Sequence, residues 1–81
     1  MSADAREPAI TRIARRRARP GHAGEYEALV REMFALMRQH HGFLGADLIP
    51  PESEGGQHAV VVNFASEDDL ARWDDSADRR E

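Results

Sequence analysis

His58-Ala59-Val60-Val61-Val62-Asn63-Phe64 is the stretch whose reading decides the fold. Three consecutive valines beside a phenylalanine favour a strand, because β-branched and aromatic side chains fit a pleated, half-buried surface. The run is apolar at odd and even positions alike, which predicts cover on both faces. One copy of so short a chain has helices for one face only. A second copy of the same sheet is the simplest cover for the other face, so a homodimer is predicted.

Downstream, Ser66 precedes Glu67, Asp68 and Asp69. That is a helix start: a hydroxyl cap followed by acids in the first turn, where the helix dipole favours negative charge. Leu70, Trp73 and Ala77 are spaced i, i+3, i+7 and predict the buried stripe of a helix running to about Glu81. Upstream, Glu52–Gln57 is a polar loop containing Gly55-Gly56, and Pro50-Pro51 stops a second strand over Phe43–Ile49. Gly42 is expected to close a helix with a left-handed cap. That helix should begin near His22 or Ala23 and reach His40. Tyr26, Leu29, Val30, Met33, Phe34 and Met37 form its apolar stripe, with Leu36 off the stripe and free to face a partner. Glu27 and Arg31 stand at i,i+4 in the favourable order. Arg19-Pro20-Gly21 is a turn, and Ala9–Ala18 alternates imperfectly as a first strand.

The order is therefore β-α-β-β-α, an α+β fold and five of the six elements of a ferredoxin-like unit. The sixth, a fourth strand, would pair with the first and would lie beyond Glu81. The chain is expected to comprise a flexible tail over 1–8 and one domain over 9–81 that is truncated at its C-terminus. The first strand would then be an open edge.

Composition narrows the function. Eighty-one residues allow one domain with a thin stability margin. The formal charge of −4 argues against nucleic acid as partner. The run Arg15-Arg16-Arg17-Ala18-Arg19 reads as a charged strand end that discourages edge-to-edge pairing. Without cysteine, disulfides and thiolate-bound metal are excluded. Nothing approaches the roughly 20 apolar residues of a membrane span, and Met1–Glu7 lacks an apolar signal core. A soluble, cytoplasmic protein is expected, with no membrane partner for this chain. His40 and His41 are adjacent, so on a helix they diverge by about 100° and chelate poorly. No metal site is predicted.

Two residues are candidates for chemistry. Asn63 is polar within an apolar strand; it would hold a substrate carbonyl or peroxide oxygen, or else make a hydrogen bond across the barrel or dimer seam. His58 opens the same strand and would act as a base; the structural alternative is an exposed strand end. Phe64, Trp73, Tyr26 and Phe34 are the aromatic candidates for a substrate pocket. For Trp73 the competing role is to anchor the last helix on the sheet.

Arg17-Ala18-Arg19-Pro20-Gly21, Glu25-Tyr26-Glu27 and His41-Gly42-Phe43-Leu44-Gly45 carry a resemblance in their order and spacing. So do Val60-Val61-Val62-Asn63-Phe64-Ala65-Ser66 and Leu70-Ala71-Arg72-Trp73 with Ser76. Together they resemble the antibiotic biosynthesis monooxygenase-like family of dimeric α/β barrels. The resemblance implies a dimer with facing sheets and a cavity between each sheet and its helices. It also implies oxidation of a small aromatic or polyketide-type substrate by dioxygen, with no cofactor. In that chemistry the deprotonated substrate gives an electron to oxygen, and the protein supplies a dry pocket and a polar group for the anion. The alternative is a non-catalytic dimerisation or ligand-binding domain within a longer protein. Haem-degrading relatives carry an asparagine where Ala14 stands, a tryptophan where Phe64 stands, and a histidine at a position past Glu81. The resemblance therefore disfavours haem degradation.

Overall fold

The computed structural model describes residues 9–76. The elements are β1 (Ile10–Arg16), α1 (Ala23–Met37), β2 (Phe43–Ile49), β3 (His58–Phe64) and α2 (Glu67–Asp75). The β-α-β-β-α order and ferredoxin-like arrangement are as expected. The strand order is β1-β3-β2, with β3 antiparallel to both neighbours. β1 and α1 are shorter than the sequence suggests. Arg17 and Ala18 leave the ladder before the Pro20-Gly21 turn, and residues 38–42 form tight turns after Met37 rather than continuing the helix. Ala77 and the expected end of the last helix lie outside the described residues.

Register sorts the side chains. His58, Val60, Val62 and Phe64 are buried beneath the helices; on the same face of the partner strand Ile10, Arg12 and Ala14 are half-buried and Arg16 is exposed. Ladder pairing shifts between Phe43 and Gly45, so Leu44 is an extra residue in β2. This bulge reverses the strand's parity. Phe43 therefore joins Ala46 and Leu48 on the helix side and meets Phe64 edge-on at 5.6 Å.

The core is Val30, Met37, Val60, Val62, Phe64, Leu70 and Trp73. One expected core residue is missing from it: Leu29 is 64% exposed. The real stripe on α1 runs Tyr26, Val30, Met33, Met37, and Leu29 falls on its outer flank. Leu36, expected to face a partner, packs against the core.

The helix ends are held by local chemistry. The Ser66 hydroxyl accepts from the Asp69 backbone N–H at 3.2 Å and donates to the Asp69 carboxylate at 3.0 Å. Arg72 donates to the other carboxylate oxygen at 2.7 Å. This Asp69 is buried directly against Gly42, whose φ of +87° is open to glycine at little cost. The Ala65 N–H donates to the Gly42 carbonyl at 2.7 Å. The α1–β2 turn and the start of α2 are thus locked to one another.

Candidate functional site

Helices cover one face of the sheet incompletely. Between them and β1 lies a cavity of about 250 Å³. Its position follows from side-chain length: β1 offers only the Ala14 methyl where β3 offers Val60 and Val62. From α1 the walls are Val30, Met33 and Met37, with the ring of Tyr26 at one end. Trp73 of α2, 1% exposed, closes another side and meets the His40 ring edge-on at 5.0 Å.

Two arginines of β1, Arg12 and Arg16, supply the charge at this cavity. Arg12 donates two hydrogen bonds to the carboxylate of Asp74 on α2, both 2.8 Å. These hydrogen bonds raise the guanidinium pKa above its ordinary value, partial burial opposes the shift, and the Asp74 charge adds to it. Arg12 is therefore committed to pinning α2 onto the sheet edge. Arg16 has no carboxylate partner among the described residues.

The aromatic candidates separate. Tyr26 and Trp73 line the cavity. Phe64, fully buried, supports the sheet without lining it. Phe34 points to a different groove, between α1 and β2, beside Arg31, Arg38 and Leu48.

His58 is not the exposed strand end anticipated as the structural alternative: it is 1% exposed. Its Nε2 lies 2.9 Å from Oε2 of Glu27 on α1, and Tyr26 packs edge-on against the ring at 4.9 Å. A carboxylate can only accept, so Nε2 carries the proton and a neutral ring leaves its lone pair on Nδ1. Nδ1 is buried and has no partner among the described residues. The histidine does not line the aromatic cavity. It borders an open groove between the Arg17–Gly24 and Pro51–Gly56 segments, where Arg17 donates to the Gly55 carbonyl at 2.9 Å.

Asn63 lies on the opposite side of the sheet from the cavity. Its Oδ1 accepts from the hydroxyl of Thr11, its direct neighbour across the ladder, at 2.6 Å. Within one subunit the sheet separates Asn63 from that cavity, and the observed Thr11 bond is one across the ladder. The same outer face carries Ile13 and Ile49, each about half exposed, on either side of half-buried Ala59 and Val61. The cover that the valine run demands is therefore not provided within one subunit.

Sequence reasoning missed the cavity role of Arg16 and the Glu27–His58 pair. Arg16 sits in a run of basic residues whose simplest use is solvation. Its parity with Ala14 was the available signal. Glu27 and His58 are 31 residues apart, and nothing local ties them together.

The fold has solved counterparts. The protein PA3566 from Pseudomonas aeruginosa is 23% identical with a TM-score of 0.80, the match covering 95% of this chain and 78% of that one. Rv0793 from Mycobacterium tuberculosis is 24% identical with a TM-score of 0.74, over 91% of this chain and 74% of that one. The heme-degrading protein Rv3592 of the same organism is 22% identical with a TM-score of 0.70, over 86% and 80%. At these identities the likeness is one of fold. No curated protein matches the chain in sequence. Among the described residues, no helix is long and apolar enough to cross a membrane, and no group of three or more potential ligands could hold a metal ion. The family pattern described as antibiotic biosynthesis monooxygenase matches residues 9–81, which takes in every element of the fold and both walls of the cavity, and the chain belongs to that family.

Proposed function

We propose that this chain binds a small aromatic molecule between sheet and helices and oxidises it with dioxygen, as a sheet-to-sheet dimer. The observation that carries the reading is the cavity, with Tyr26 and Trp73 set in apolar walls beside Arg16, which has no ionic partner among the described residues. Its volume falls just below the roughly 300–1,000 Å³ of pockets that bury drug-sized ligands, which suits a molecule of one or two rings better than a tetrapyrrole. The likeness to a heme-degrading fold does not change this, because Ala14 puts a methyl where an amide would be needed.

The chemistry is that of an electron-rich ring. Loss of a proton from the substrate gives an anion that passes one electron to dioxygen. Recombination at carbon forms a peroxide, which loses water to leave a carbonyl. One oxygen atom ends in product and the other in water. A dry, preorganised pocket favours charge transfer in this setting, and Arg16 would stabilise the anion.

One observation favours a second reading, a non-catalytic binding domain. No carboxylate or imidazole lines the cavity among the described residues, so the substrate must ionise without a protein base there. Oxygen-electrode measurements with an anthrone decide between them. Turnover should consume one dioxygen for each quinone formed. Quenching of Trp73 by the anthrone with no oxygen uptake would leave only the binding domain.

The dimer has its own support. Ile13, Val61 and Ile49 offer an apolar ridge on the outer face, while Arg15 and Asp47 put opposite charges on its two edge strands. A two-fold copy can pair opposite charges around an apolar centre. Ile13→Glu should weaken self-association at least tenfold, about 1.4 kcal/mol, in sedimentation equilibrium. An unchanged dimer would exclude this face.

A further inference from the structure

We infer that the ligand of the sheet–helix cavity is an aromatic carboxylate, with Arg16 as the residue that selects for the anion and Tyr26 as its second donor. The inference rests on the cavity holding an aromatic molecule and adds the charge and group that molecule must carry.

The argument begins with the two arginines at the cavity. Arg12 and Arg16 are four residues apart on one strand and so present to the same side of the sheet. Arg12 is neutralised through the two 2.8 Å hydrogen bonds it donates to Asp74. Arg16 pairs in register with His58, which offers no negative charge, and no hydrogen bond joins the two side chains among the described residues. No acid of α1, β3 or α2 meets Arg16 among the described residues. A guanidinium that borders an apolar cavity without a partner keeps all five donors in a planar fork, a geometry that matches a carboxylate through two parallel hydrogen bonds.

The second donor is on the facing helix. Tyr26 lines the same cavity, and its ring is fixed by the edge-on contact with His58. No hydrogen bond among the described residues uses its hydroxyl. Pocket ligands are oriented by a few polar groups in an apolar surround. Here those groups are one cation and one hydroxyl, both able to donate to an anion. The remaining lining is Val, Met, Ala and Trp, which offers no acceptor for a ligand amide or ammonium group. A neutral amide of the same shape would leave the arginine without its counterion. A phosphate of two charges would find a single uncommitted cation.

The test uses the full chain in solution and its one tryptophan, Trp73, as reporter. Titration with 2-naphthoate and with 2-naphthamide should quench Trp73 in both cases, the carboxylate binding about tenfold more tightly at low salt. Arg16→Gln should abolish that preference while leaving amide affinity within about twofold. Arg16→Lys should keep part of it, and Tyr26→Phe should reduce it severalfold. Arg16 is exposed, so its variants should fold, and circular dichroism checks this. Equal binding of the two probes by the wild type, or a preference that survives Arg16→Gln, overturns the assignment and leaves the aromatic cavity standing. Failure of both probes to bind removes the aromatic cavity, and the carboxylate assignment falls with it.

Discussion

Gly42→Val should cost the domain about 2–5 kcal/mol of stability. Gly42 combines two constraints found together nowhere else among the described glycines. Its φ is +87°, where a branched side chain is a rare outlier. A Cβ there would also run into the carboxylate of Asp69, with the Asp69 Cβ only 2.6 Å away. The first constraint costs on the order of 1–2 kcal/mol for a non-glycine residue. The second forces Asp69 out of a buried position where it caps α2 through Ser66 and receives Arg72. Stranding such a group costs about 1–3 kcal/mol more. Net stability for a chain of this length is on the order of 4–12 kcal/mol, so the sum is a large part of the whole. Gly21 separates the two effects: its φ is +80° and a Cβ there meets nothing within 4 Å. Gly21→Ala should cost only the conformational part, about 1 kcal/mol. Urea denaturation that gives equal midpoints for the two variants would show that the Gly42–Asp69 contact contributes nothing.

The same local chemistry explains why much of the fold could be read from the sequence. Ser66 with three acids behind it, Gly42 before a strand, and Pro50-Pro51 after one are signals carried by residues a few positions apart. β2 and β3 accordingly run as expected, to the residue. What could not be read depends on partners far away in sequence. β3 is apolar at both parities, so alternation separated Asn63 from Phe64 without saying which of them the helices would cover. The bulge at Leu44 breaks the alternation that would have assigned Phe43. Leu29 belongs to a stripe wide enough for six residues, but the sheet beneath α1 has three strands among the described residues, and a helix lying over it buries a narrower strip. The burial of His58 at the start of β3 is not legible locally, because its Glu27 partner arrives from another element. The candidate site was half legible: Tyr26 and Trp73 were singled out for their rings and do meet at the cavity. Arg16 was hidden within a basic run, and only tertiary packing distinguishes it from Arg15 and Arg17. Composition records charge, whereas which charges are paired is decided by packing, as it is for Arg12 and Asp74.

Trp73→Ala should be the most damaging change to the core and the most informative about the cavity. Trp73 is 1% exposed on α2, a helix of nine residues. A helix that short is marginal by itself and depends on the packing of its buried face. That face is Leu70 and Trp73, with Asp69 beside them. Truncating a buried tryptophan costs roughly 3–5 kcal/mol, through lost contacts and the void left behind. For a domain of this size each kcal/mol moves the melting temperature by about 4–8 °C, so a fall of at least about 12 °C is expected by calorimetry. The void would open directly into the existing cavity, since Trp73 forms part of its wall. Apolar cavities of this kind take up aromatic molecules. A ligand that binds only the folded state raises stability in proportion to the logarithm of its concentration over its dissociation constant. Saturating 2-naphthoate should therefore restore a larger part of the melting temperature in Trp73→Ala than it adds to the wild type. Trp73→Phe, which keeps a ring against Val62 and His40, should melt between the two. If Trp73→Ala melts within about 3 °C of the wild type, α2 does not depend on this side chain. If the variant is destabilised but gains nothing from the aromatic acid, Trp73 anchors α2 without forming a ligand wall.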